Sequence, residues 1–277
     1  MDSELWALVP EIYRARDARL YDRKGRRYLD LWRNGGRALL GHRPDQIYRE
    51  LKNVLQKGLV AEYPSLYAHR LEKALRALIP GDWEVRVFQN LQRARAEIKE
   101  RLEEPFFSYS NPHSPPVSAL YYRPFIQADY YRSPVVLPVL PFPGAFAPQP
   151  VLIQKGCREE TFSSEFLEVS SRDPVSPFLM AALTRTVWFL IKIQKERFSW
   201  EDWNLIGWKR IACYGIPIFK LEEYPRVFCE FLSAGILIPP DPEDPLVLPM
   251  EWSPGEKEWV EKTAQRVIGK GGSNGNG

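Results

Sequence analysis

In the stretch PQPVLIQKG, Pro148 to Gly156, an apolar run ends in Lys155 and a turn glycine. A lysine amine at the end of a buried strand can condense with a carbonyl compound and so hold a cofactor as an imine. The same pattern also describes any strand that closes on a solvated lysine. Other chemistry-bearing types are sparse. His42, His69 and His113 lie far apart with no Cys or His at ligand spacing, so no metal site is expected. Cys157, Cys213 and Cys229 form no framework and read as reduced thiols of the cytoplasm. Trp188, Trp200, Trp203 and Trp208 fall close together, as a ligand cage or, more ordinarily, as core anchors. Tyr121/Tyr122 and Tyr130/Tyr131, interleaved with Arg123 and Arg132, have the residue types that stack on bases. The net charge of +3, with bases scattered among acids, gives no concentrated basic face, and no nucleic-acid partner is expected. No Ser-His-Asp order, Gly-rich phosphate loop or paired-carboxylate motif is present.

The elements that must position these residues can be read from pattern. RLYDRKGRRYLDLW, Arg19 to Trp32, reads as a hairpin turning at DRKG. PDQIYRELKNVLQKGL is an amphipathic helix, with Pro44 at its first position and Ile47, Leu51, Val54 and Leu55 at helical spacing. SLYAHRLEKALRALIPGD is a second, EVRVF a short strand, and LQRARAEIKERLEE a third helix with Arg93 and Glu97 at i,i+4. Pro105 to Pro150 is rich in proline and tyrosine, with short strands expected at VVLPVL and PVLIQ. PVSPFLMAALTRTVWFLIKIQKERF is a largely buried helix. SWEDWNLIGWKRIACYG reads as another, with Ser199 as N-cap and Glu201 or Asp202 in its first turn. YPRVFCEFLSAGILIPP is a helix stopped at Gly235 and leading into a strand. SPGEKEWVEKTAQRVI is a closing helix with Ser253 as N-cap, Pro254 at N1 and Glu256 at N3.

At 277 residues, 44% hydrophobic and 26% charged, the chain can bury a sizeable core as one large domain or two modest ones. The N-terminus carries neither a basic n-region nor an apolar run of signal length, so no signal peptide is expected. Ser133 to Gln154 is uncharged and long enough to span a bilayer, but its six prolines speak for a buried, punctuated segment and against a membrane helix.

Two sets of motifs carry a family resemblance. LYDRKGRRYLDLWRNGGRALLGHRPDQI resembles the opening segment of the class III aminotransferases, the ornithine, acetylornithine and 4-aminobutyrate group. The matching residues are Tyr21, Asp22, Gly25, Tyr28, Leu29, Asp30, Leu31, Gly41, His42 and, shifted by one, Pro44. HRLEKALRALIP and VRVFQN resemble the helix and first large-domain strand that follow in that family. DPVSPFLMAAL, FLSAGILIPP and SPGEKEWVEKT resemble its C-terminal part in the same order.

The resemblance implies an α/β fold of the pyridoxal phosphate (PLP)-dependent transferase type I, with a reduced large domain at 76–222. A small domain would be built from 1–75 and 223–268, and 269–277 would be a tail. It implies a cytoplasmic homodimer, with a full-length relative as a further partner. It puts Lys155 at the Schiff-base position and Asn90 in the phosphate cradle, and gives His42 a packing and turn role. The rest of the cofactor machinery departs from the family. Leu91, Gln92 and Arg93 replace the cradle's glycine and hydroxyl, no carboxylate lies between Asp129 and Glu159 to hold a pyridinium nitrogen, and Val247 or Leu248 stands where a substrate arginine would be. The reading that follows is an aminotransferase-like binding or scaffold protein without transaminase activity and without a cofactor. Its alternatives are an active PLP enzyme using Lys155 and a small-ligand sensor using the same cleft.

Overall fold

The computed structural model describes residues 4–98, 102–103, 119–127, 130, 133–142, 147–155, 174–198, 200 and 203–269. The chain divides into two compact units, Met1–Pro44 with Arg197–Gly277, and Asp45–Glu196. The boundaries expected at 75/76 and 222/223 do not coincide with these, because helices α1 (Asp45–Leu55) and α2 (Leu66–Leu78) pack on α4 (Pro177–Ile193) inside the second unit.

In the unit made from the chain ends, strands β1 (Ile12–Arg16), β2 (Arg19–Asp22) and β3 (Arg27–Asp30) form an antiparallel meander. To it β11 (Ile236–Leu237) adds in parallel beside β3. The expected hairpin is therefore β2–β3. Asp22 shapes its turn by accepting from the amides of Lys24 and Arg26, each at 2.9 Å. Helix α5 (Tyr224–Ser233) ends at Gly235, whose φ of +84° and whose packing against Trp259 and the Arg27 carbonyl leave no room for a side chain. Helix α6 (Pro254–Ile268) starts in the expected capping box, with Ser253 and Glu256 each closing on the other's backbone.

One expectation fails here. The segment read as a helix from Ser199 contains the hairpin of β9 (Trp208–Ile211) and β10 (Tyr214–Pro217), which β12 (Leu246–Val247) extends. Gly207 at φ +87° and Ala212 at φ +52° turn the chain, and the Trp208 ring packs edge-on against Phe219 and Phe231. Tertiary packing thus overrides a helix-like pattern. Ser199, Glu201 and Asp202 lie outside the described residues.

The Asp45–Glu196 unit holds a five-stranded sheet in the order β4 (Trp83–Phe88), β8 (Gln149–Gln154), β7 (Val135–Pro138), β6 (Ala119–Tyr122), β5 (Leu102–Glu103). β5, β6 and β7 are parallel, and β8 runs against both β7 and β4. All four residues of β6 and of β7 and five of the six in β8 are buried, as expected for a covered mixed sheet. The third helix, expected through LEE, closes at Glu97 as α3 (Leu91–Glu97), and Leu102–Glu103 belongs to the sheet instead. No described helix is long and apolar enough to cross a membrane.

Candidate functional site

Lys155 follows β8 directly. Its amide donates to the Asp82 carbonyl at 3.1 Å and its Nζ pairs with the Asp82 carboxylate at 2.6 Å, with more than half of both side chains exposed. Asp82 precedes β4, whose first residue Trp83 is registered with Gln154. Asn90 lies beyond the other end of β4, where Phe88 is registered with Gln149. From Asp82, opposite Lys155, to Asn90 is eight positions, which at ~3.3 Å each places the two candidates roughly 25 Å apart. The geometry therefore does not bring Lys155 and Asn90 to one site.

Each end has its own occupation. Asn90 caps α3, its side-chain oxygen accepting from the Arg93 amide at 2.8 Å, and Arg93 pairs with Glu97 at 3.5 Å. At the carboxyl ends of the parallel strands, where open α/β sheets bind ligands, the polar groups serve one another. The Tyr121 hydroxyl accepts from Nε and Nη2 of Arg95, and Arg123 lies over the Tyr121 ring. The Tyr122 hydroxyl accepts from Gln194 at 2.7 Å, and burial pushes its pKa far above the ordinary value. The Gln149 amide donates to the carbonyls of Pro138 and Pro150. After β7 come Val139, Leu140 and Phe142, all buried and apolar. PLP requires an amine, a carboxylate for its ring nitrogen and fixed donors for its phosphate within the reach of one small molecule. The described residues around Lys155 and Asn90 do not fit that group.

In the unit of the chain ends a second polar cluster surrounds Asp30, which is 1% exposed. One carboxylate oxygen accepts from the amides of Trp32 and Arg33, and the other meets His42 Nε2 at 2.7 Å. Gly41 must be glycine because its φ is +90° and a Cβ would stand 3.2 Å from the Asp17 backbone. Its neighbour His42 is anchored by a hydrogen bond from its backbone N–H to the Asp17 carbonyl. Arg33 and Asn34 both adopt left-handed backbone, which costs on the order of 1 kcal/mol or more per non-glycine residue. Sequence reading passed over Arg33 and Asp30 as chemistry, although an arginine set directly before Asn-Gly-Gly inside a buried segment was the available signal. Val247 and Leu248 are buried, Val247 in register with Tyr214 of β10 and Leu248 donating its amide to the Cys213 carbonyl.

The aromatic candidates are anchors. Trp203 packs edge-on with Trp252 and donates to Glu261, Trp200 stacks on Phe198, and Trp188 belongs to the other unit. Tyr121, Tyr122 and Tyr130 are buried, so their faces do not offer themselves to bases; Tyr131, Arg132, His113 and Cys157 lie outside the described residues. Among the described residues no group of His, Cys, Asp and Glu could hold a metal.

No family model matches the chain. An uncharacterized protein of Borreliella burgdorferi is 26% identical over 92% of this chain and 90% of its own. Another, of Treponema pallidum, is 33% identical over 30% of this chain and 27% of its own. Among solved structures, the ornithine delta-aminotransferase of Plasmodium falciparum matches with a TM-score of 0.66 at 12% identity, covering 95% of this chain and 94% of that one. The N-acetylornithine aminotransferase of Stenotrophomonas maltophilia gives 0.61 at 12% identity, covering 96% and 98%. A glutamate-1-semialdehyde-aminomutase of Pseudomonas aeruginosa gives 0.66 at 10% identity, covering 94% and 87%. Over nearly its whole length, then, this mixed α/β chain has a fold similar to that of the class III PLP-dependent aminotransferases.

Proposed function

We propose that this chain is a shortened and degenerate aminotransferase-like protein that does not transaminate and acts as a binding or scaffold subunit in the cytoplasm. The observation that carries the reading is the separation of Lys155 from Asn90 along the whole of β4. A doubly charged phosphate ester needs several fixed donors to offset its desolvation, each charge-assisted bond contributing about 1.5–3 kcal/mol. The one cap oxygen of Asn90 is an acceptor already committed to Arg93. Lys155, ion-paired and solvated, offers only a reversible imine with no partner to turn the ring into an electron sink.

The test is to incubate the protein with PLP, remove the excess and record the visible spectrum. The proposal expects no retained imine band. A stoichiometric band in the wild type that vanishes in Lys155→Ala contradicts it and establishes the active-enzyme reading, which draws on the activities named for the fold neighbours.

The proposed assembly is a homodimer, with a full-length relative as a further partner. Supporting it, Leu55, Val60, Tyr63 and Leu66 expose apolar surface around the α1–α2 connection. Light scattering at micromolar concentration should give twice the 32.2 kDa chain mass; the single-chain mass would contradict a dimer.

A further inference from the structure

Arg33 is 3% exposed, and burial lowers its pKa from the ordinary arginine value. Its guanidinium has one acceptor among the described residues, the Leu39 carbonyl 3.0 Å from Nη1. Nε is fully buried and donates to nothing there. The nearby carboxylates of Asp30 and Asp17 favour the charged guanidinium, but Asp30 bonds the amides of Trp32 and Arg33 and the His42 ring and makes no bond to the guanidinium. Arg19, which also faces this region, is itself bound in bidentate fashion to Glu256.

The backbone holds this arrangement deliberately. Arg33, Asn34, Gly35 and Gly36 follow one another at φ +50°, +52°, +62° and +95°. The run is pinned by Ala38 N on the Arg33 carbonyl and Arg37 N on that of Asn34. Consecutive left-handed residues that begin at a buried, under-partnered cation are the kind of strain that accompanies ligand clamps. The edge of the guanidinium formed by Nε and Nη2 presents two parallel N–H donors at the spacing of a carboxylate's two oxygens.

We propose that the Nε/Nη2 edge of Arg33 is a binding site for one small carboxylate anion. The anion accepts from the donors that the Leu39 carbonyl leaves unserved, which satisfies a buried polar group rather than adding a first counter-charge, since Asp30 and Asp17 already lie near. The site lies wholly within the unit of the chain ends and stands whether or not the other unit holds a cofactor.

The test uses the full chain, with acetate and then succinate titrated against chloride at constant ionic strength. Melting temperature is followed together with the Arg33 Nε–H resonance in a ¹⁵N-arginine-labelled sample. The expected result is a saturable rise in melting temperature with the carboxylates and not with chloride. The Arg33 resonance should move with the same midpoint. Arg33→Lys, which keeps the charge but loses the fork, should weaken the apparent affinity by about tenfold or more. If that variant does not fold, the wild-type resonance decides. A resonance that stays in place through the titration overturns the proposal, as does an unchanged thermal response in Arg33→Lys. Equal displacement by inorganic phosphate overturns the assignment to a carboxylate.

Discussion

The two units bury polar groups in opposite ways. The unit of the chain ends buries charge: Asp30 against His42, Arg33 on the Leu39 carbonyl, and Glu256 gripped by Arg19 at 2.7 Å through both oxygens. The Asp45–Glu196 unit centres on an apolar cluster that includes Phe88, Val135, Leu137, Val151 and Ile153. Apart from Arg123 and Glu97, the buried polar side chains among its described residues are neutral, and Gln149, Tyr130, Ser133 and Thr186 donate to backbone carbonyls. Its ion pairs Arg76–Glu72, Arg86–Glu84 and Lys155–Asp82 sit at partly exposed or exposed positions. One unit is locked by specific charged contacts, local around Asp30 and Arg33 and distant between Arg19 and Glu256, the other chiefly by non-directional burial. Substitution and pH should therefore strike them differently.

The largest effect is expected in the apolar unit. Leu152 is fully buried in β8, and Leu152→Ala should cost about 3–4 kcal/mol through lost transfer energy and a residual cavity. Urea denaturation followed by tryptophan fluorescence measures it, and the loss should not depend on pH.

Arg19→Ala should cost about 2–3 kcal/mol, less than a fully buried pair because a quarter of the Arg19 side chain is exposed. This loss carries a pH signature. Burial alone would raise the Glu256 pKa, but the bonds from Arg19 and Ser253 outweigh it and hold the folded value below the ordinary 4.5. A lowered folded pKa means stability that is present above 4.5 and lost as pH falls through the folded value. The difference between wild type and Arg19→Ala should accordingly be widest near neutrality and shrink in that acid window. A difference that is flat from neutral to acid pH would break the contrast between the units.

Ser253→Ala, which removes one half of the capping box of α6, should cost about 1 kcal/mol. Lys155→Ala should change stability by no more than about 0.5 kcal/mol, since its partner Asp82 is as solvated as it is. A markedly larger loss would show that Lys155 does something beyond this surface pair.

Much of the charged unit was legible in sequence. Its contacts are announced by local grammar: the Asp22 turn, Gly41 before His42, the Ser253–Glu256 box and Gly235 after α5. The strands β9 and β10 were not, because Trp208 and its neighbours are fixed by rings far away in sequence, and a run of tryptophans with early acids imitates a helix start. Arg33 escaped for a related reason. An arginine reads as surface unless the burial of its backbone is known. For Lys155 the motif marked the end of a strand, but sequence alone does not reveal that β8 runs against its neighbours. That direction decides which edge of the sheet the lysine reaches.

Lys155 and Asn90 stand at opposite ends of β4. Spin labels at Lys155→Cys and Asn90→Cys, in a chain whose native cysteines are replaced by serine, measure this directly. A dipolar distance of roughly 25 Å is expected, the eight positions from Asp82 to Asn90. Strong broadening from labels in near contact would contradict it, and would return both residues to a single site.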